Sequence, residues 1–153
     1  MKLSFKKKIR QKYVTSKVRK DVLDLFNQIE LYEYCIRNDD VAEIHSSFAI
    51  ANKNCFSYPT EQHYNKIDYM QFIVTRFYSI LKNIKKRMND DELEIFKSFF
   101  LNHEQDSEIM EKLNIQRVKY YELKGYIYFL LAIGFNIINP ECIEISDRLK
   151  LIC

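Results

Sequence analysis

Glycine and proline are scarce. Among 153 residues only Gly125, Gly134, Pro59 and Pro140 are of these types, whereas Rossmann, P-loop and sandwich folds are punctuated by many turn residues. The shortage favours a mostly helical chain. Long apolar runs are missing too. The longest, Tyr126 to Phe135, falls well short of the roughly 20 residues that span a bilayer, so no membrane partner is expected. The basic N-terminus is not followed by an apolar segment of the secretory kind, and no signal is expected there. No CxxC pair occurs. Cys35, Cys55, Cys142 and Cys153 are widely spaced and read as reduced thiols rather than a disulfide framework. The expected compartment is therefore the cytoplasm.

Catalytic patterns are equally thin. His45, His63 and His103 are scattered, and no His or Cys pair has metal-ligand spacing. Asp39-Asp40 and Asp90-Asp91 sit at helix boundaries, where acids act as caps. Neither a nucleophile motif nor a phosphate loop is found. The chain reads as a non-enzyme that needs no metal or cofactor.

What is present is apolar residue and local positive charge. Hydrophobic residues make up 47% of the chain, enough for one packed domain or for a small domain with a helical arm. The net charge is only +3, yet residues 1–20 hold Lys2, Lys6, Lys7, Lys8, Arg10, Lys12, Lys17, Arg19 and Lys20 and no acid. Lys82, Lys85, Lys86 and Arg87 form a second run, and Lys112, Arg117, Lys119 and Lys124 a third. Separated basic patches on a near-neutral chain suggest a surface that meets phosphate locally. For the first twenty residues a solvated tail is as good a reading as nucleic-acid contact.

The apolar spacing predicts helices. Val18, Val22, Leu25, Ile29, Tyr32 and Ile36 mark one stripe. It is too short to separate a coiled-coil seam from packing inside a bundle. Residues 41–64 are hard to read, with a short helix from Val41 through Ile44 and Phe48 and a loop from Asn52 to Thr60. From Ile67 to Met88 a long helix is predicted through Met70, Ile73, Phe77, Ile80, Leu81 and Ile84, ending in the cations Lys85, Lys86 and Arg87. Asn89 and Glu92 have the spacing of a capping box, with Leu93, Phe96 and Phe100 as the buried face beyond it. Asn102 to Gln105 should then break the chain.

Residues 106–125 carry the sharpest signal. A helix-turn-helix needs two short helices joined by a tight turn. Ile109 and Leu113 would pack the first helix, and Asn114 tolerates the left-handed backbone that the turn requires. Ile115 would plug the corner, with Tyr120, Leu123 and Ile127 buried on the second helix. Gln116, Arg117, Val118, Lys119, Tyr121, Glu122 and Lys124 are left on the outer or leading surface, which can enter the major groove of double-stranded DNA. Arg117 suits guanine and Gln116 adenine. Lys119 and Lys124 suit phosphates, and Tyr121 a phosphate, a sugar or a thymine methyl. Lys85, Lys86 and Arg87 are further phosphate candidates. The competing reading is a helical hairpin whose polar face merely meets water.

The block Asn89 to Lys124 resembles the C-terminal part of the ArpU/RinA-type phage late transcriptional regulators, which look like promoter-binding region 4 of sigma factors. The likeness rests on Asn-Asp-Asp-Glu-Leu-Glu-Ile from Asn89, then Glu-Ile-x-Glu-Lys-Leu-Asn-Ile from Glu108, then Tyr120, Tyr121 and Lys124. Three positions depart from the family pattern. Met110 stands where a small residue is usual, Gln116 where Ser is common, and Glu122 where Arg is often found. The resemblance implies an activator of late phage or prophage operons for packaging or lysis. It would bind promoter DNA near the bacterial nucleoid, with RNA polymerase as a further partner.

The expected architecture is all-α, a helical bundle with a C-terminal sigma-region-4-like helix-turn-helix. Residues 1–64 would form a basic segment and helical arm, 65–135 the DNA-binding domain, and 136–153 an apolar extension. Cys142, Glu144 and Ser146 alternate with Ile143 and Ile145, a weak hint of a short strand. The stripe from Val18 and the apolar tail keep open a protein-interaction module, as a homodimer seam or a seat for a regulatory anti-activator. A DNA-packaging subunit of the small-terminase kind stays open as well.

Overall fold

The computed structural model describes residues 4–38 and 59–152. The short helix expected from Val41, and the loop expected from Asn52 as far as Tyr58, lie outside the described residues. Within them all regular structure is helical: α1 (Phe5–Tyr13), α2 (Ser16–Arg37), α3 (Pro59–Lys85), α4 (Asp90–Phe96), α5 (Asp106–Leu113), α6 (Arg117–Gly134) and α7 (Ile145–Ile152). A π-helical turn, Lys97–Leu101, extends α4, and a 3-10 turn, Pro140–Cys142, precedes α7. The all-α expectation is met. α3 starts at Pro59 rather than Ile67; proline suits a first helical turn because its missing N–H would have no partner there.

Contacts divide the chain into residues 1–24 with 80–153, and residues 25–79. This grouping cuts across the expected boundaries at 64 and 135, because α1 belongs to the same unit as α6.

The first unit is built on α6. Every residue from Ile127 to Ala132 is buried, as expected of a helix that is apolar all round. α1 lies along α6 through Ile9, only 1% exposed, and through Tyr13, whose ring centroid is 5.5 Å from that of Phe129. Gly125 permits this approach, since a Cβ there would lie 2.5 Å from Cγ and Cδ of Arg10. Ile84 of α3 occupies the corresponding space at Gly134. α4 opens with the predicted capping box: Asn89 accepts from the Glu92 N–H at 2.9 Å, and Glu92 accepts from the Asn89 N–H at 3.2 Å. Ile95, Phe96 and Phe100 are buried behind it, with Leu93 only half-buried. The Phe96 and Phe100 rings stack at 5.6 Å, and Phe100 meets Tyr128 edge-on at 5.2 Å. Four residues apart, both phenylalanines lie on the helix face toward the core.

The strand hint at 142–146 is overturned. Asn139 caps the 3-10 turn that Pro140 begins, and Ile145 already starts α7. Arg148 then reaches back to donate to the carbonyls of Ile143 and Glu141, both at 2.7 Å. These local bonds hold the backbone away from any sheet partner. Ile138 and Ile143 join the core, while Ile145 and Leu149 remain exposed.

In the second unit Phe26 of α2 meets Phe77 of α3 edge-on at 5.2 Å, and Tyr32 meets Tyr69 at 6.5 Å. Tyr78 donates its hydroxyl proton to Glu33. Phe26, outside the stripe expected for α2, is one of its buried residues, beside Ile29.

Candidate nucleic-acid interface

The turn between α5 and α6 has the predicted backbone. Asn114 adopts φ 52 and ψ 48, the left-handed region. Its N–H donates to Glu111 O at 3.2 Å, and the Ile115 N–H donates to Met110 O at 3.1 Å. This double closure satisfies the carbonyls at the end of α5 and reverses the chain within three residues. Gln116 is extended, at φ −69 and ψ 150, and its side chain makes no cap bond to α6. Serine at this place could have accepted such a bond; glutamine leaves its amide uncommitted. Of the expected core positions, Ile109, Tyr120, Leu123 and Ile127 are buried. Leu113 and Ile115 are half-buried, at the edge of the turn.

Asp106 braces the two helices from the first turn of α5. It accepts the hydroxyl proton of Tyr120, a bond from Lys124 Nζ at 2.9 Å, and a weaker one from the Tyr121 hydroxyl at 3.4 Å. Burial alone would push the Asp106 carboxyl up. The bonds from Tyr120 and Lys124 outweigh it and hold the group below the usual aspartate range. Burial, with Asp106 beside it, raises the Tyr120 hydroxyl well above its ordinary value. On the far side of α5, Lys112 donates to Ser98 at 2.7 Å and to Glu104 at 3.0 Å, which lowers the Glu104 carboxyl.

Gln116, Arg117, Val118 and Lys119 project together from the start of α6, and all are exposed, Val118 by 69%. Neither Arg117 nor Lys119 has an ion-pair partner among the described residues. The Arg117 guanidinium lies 5.8 Å from the Tyr121 ring centroid.

The remaining expected contacts have mixed surroundings. Lys124 turns inward: its side chain is 12% exposed, paired with Asp106, with Nζ 3.6 Å from the Phe99 ring centroid. In this structure Lys124 thus braces the two helices, where the sequence alone leaves it free to meet a phosphate. Glu122 is half-buried and accepts the hydroxyl proton of Ser4. Lys85 is half-buried, with Nζ 5.7 Å from the Phe96 ring centroid. Arg87 donates to Leu151 O at 3.1 Å, closing the end of α7. Lys86 is exposed.

Two cations join this region from afar. Lys7 and Arg10 of α1 line an open depression with Arg117, Val118, Tyr121 and Glu122. The basic N-terminal run signalled their charge, and nothing in the spacing signalled that α1 packs beside α6.

Among the described residues no group of three or more His, Cys, Asp or Glu side chains is arranged to hold a metal ion. No described helix is long and apolar enough to cross a membrane. Comparison with known proteins finds no matching family model, no matching curated protein and no matching solved structure.

Proposed function

We propose that the chain is a helix-turn-helix DNA-binding protein that regulates transcription and is not an enzyme. The observation that carries this reading is the left-handed Asn114 turn, followed by the exposed residues Gln116 to Lys119 on a helix whose opposite face is buried. A braced helix with an exposed cationic leading end suits the major groove, where residues of the first turn reach base edges. In this reading Gln116 reads adenine and Lys119 meets a phosphate, and Arg117, which shares its depression with Lys7 and Arg10, turns to a phosphate rather than to the guanine expected of it.

The biological setting rests on the resemblance alone. It favours an activator of late phage or prophage operons, bound to promoter DNA in the cytoplasm, with RNA polymerase as a partner. Ile145 and Leu149, exposed one turn apart on α7, supply apolar surface for a second copy or a regulatory protein.

Genome-wide crosslinking during phage induction should enrich a late promoter, and a duplex from that site should bind the purified chain. Arg117→Ala with Lys119→Ala should weaken that binding at least tenfold, about 1.4 kcal/mol, and flatten its salt dependence. A folded double variant with wild-type affinity would remove α6 from the interface.

A further inference from the structure

Resting on the DNA-binding reading above, we infer that α1 and the leading turn of α6 form one composite phosphate-binding notch, in which Lys7, Arg10 and Arg117 hold a backbone phosphate of the duplex. The cations of α1 fall into distinct groups. Lys6 pairs with Glu92 at 3.0 Å, and Lys12 pairs with Glu144 at 2.6 Å and Asp147 at 3.3 Å. These two dock the helix. Lys7 and Arg10 have no ion-pair partner among the described residues, and both line the depression beside Arg117. Lys8 points elsewhere, into a depression shared with Ile9, Gln11, Lys12 and Asp147.

The notch is held in shape before any ligand arrives. Ser4 accepts from the Lys7 N–H at 3.2 Å and donates its hydroxyl proton to Glu122, which ties the start of α1 to α6. The Arg10 stem rests on Gly125, so the side chain leaves α1 from a fixed seat. Tyr121 lies under the Arg117 guanidinium. Three cations face one carboxylate, Glu122, in this lining, leaving an excess of two positive charges for a phosphate. Phosphate contacts of this kind fix the register of a protein on the duplex. A cation from α1 would therefore orient α6 as it enters the groove.

The test measures binding of the full chain to a fluorescein-labelled mixed-sequence duplex by anisotropy, across about 50 to 200 mM salt. Lys7→Gln with Arg10→Gln keeps the first two methylenes of each stem and removes both charges. This pair should lower the magnitude of the salt slope by about one and weaken binding several-fold. Adding Arg117→Gln should then cost less than it costs in the wild-type chain, because the three side chains share one phosphate. Lys8→Gln with Lys17→Gln removes the same charge from the same basic segment outside the notch, and should leave the slope unchanged. Thermal unfolding of each variant establishes that it is folded. An equal loss from both pairs would overturn the notch in favour of diffuse attraction. An unchanged slope in the Lys7/Arg10 variant, with a reduced slope in Arg117→Gln, would overturn the notch and leave the reading of α6 standing. Absence of binding by the wild-type chain, to this duplex and to a late-promoter duplex alike, would overturn both.

Discussion

At the scale of single residues, the most consequential side chain is Asp106, which no reading of apolar periodicity marks. Its carboxylate collects the Tyr120 hydroxyl, Lys124 and, more weakly, Tyr121, and so converts two helices and a turn into one rigid piece. Replacing it with alanine leaves the Tyr120 hydroxyl and the Lys124 amine in partly buried positions without their acceptor. Such a loss costs roughly 1–3 kcal/mol, and urea unfolding of Asp106→Ala should show a fall of that size. The acid limb of stability carries the same signature. The folded carboxyl titrates below its ordinary value of 3.8, so its ionised form stabilises the fold at neutral pH. That contribution persists above the unfolded value and is lost as pH falls through the folded one, because the unfolded chain takes up the proton first. Asp106→Asn should therefore flatten the loss of stability at and below pH 3.8. An acid limb identical to the wild type would show that the brace contributes nothing. Glu92 has a similar place in α4: buried, capping its own helix and paired with Lys6.

At the scale of elements, what could be read from the sequence was whatever depends on neighbours along the chain. The Asn89 capping box, the break after Leu101 and the left-handed Asn114 all arise from contacts within a few residues, and all are found where the spacing put them. What escaped depends on distant partners. Lys124 reads as free because Asp106 lies 18 residues away, and the first twenty residues read equally as a solvated tail or a nucleic-acid contact because the groups that dock α1 are in α4, α6 and α7. Residues 142–146 alternate as a strand does, yet no neighbouring strand exists among the described residues, and Arg148 draws that backbone into turns. Asn114 itself allows a direct check. A left-handed backbone costs most residues about 1–2 kcal/mol, less for asparagine and little for glycine. Asn114→Ala should lower stability by about 1 kcal/mol, whereas Asn114→Gly should leave it within about 0.5 kcal/mol of wild type. Thermal melts of the two variants decide the matter. If alanine were tolerated as well as glycine, the turn would not depend on this geometry.

At the scale of the whole molecule, α1 joins the beginning of the chain to its end. Lys6 reaches Glu92 of α4, and the Arg10 stem lies on Gly125 of α6. The Tyr13 hydroxyl donates to Asp147 of α7 at 2.8 Å and accepts from the Glu144 N–H at 3.1 Å. Burial and orientation of α6 therefore rest partly on a helix that lies more than a hundred residues before it in sequence. Gly125→Ala puts opposing effects in competition at this crossing. Alanine favours a helix interior over glycine by about 1 kcal/mol. Its Cβ, however, would lie 2.5 Å from two carbons of the Arg10 stem and 3.0 Å from a third, and overpacking of this kind costs about 1–3 kcal/mol. The Arg10 Cβ is fixed by the α1 backbone, and its Cγ and Cδ clear the new methyl only by leaving their rotamer, so the clash should win and the melting temperature should fall by a few degrees. Arg10→Ala removes those outer carbons. It should cost less in the Gly125→Ala chain than in the wild type, a coupling that a thermodynamic cycle over the four proteins measures directly. A Gly125→Ala chain more stable than wild type would mean that helix propensity outweighs the crossing, and that α1 is held by its ion pairs and Tyr13 instead.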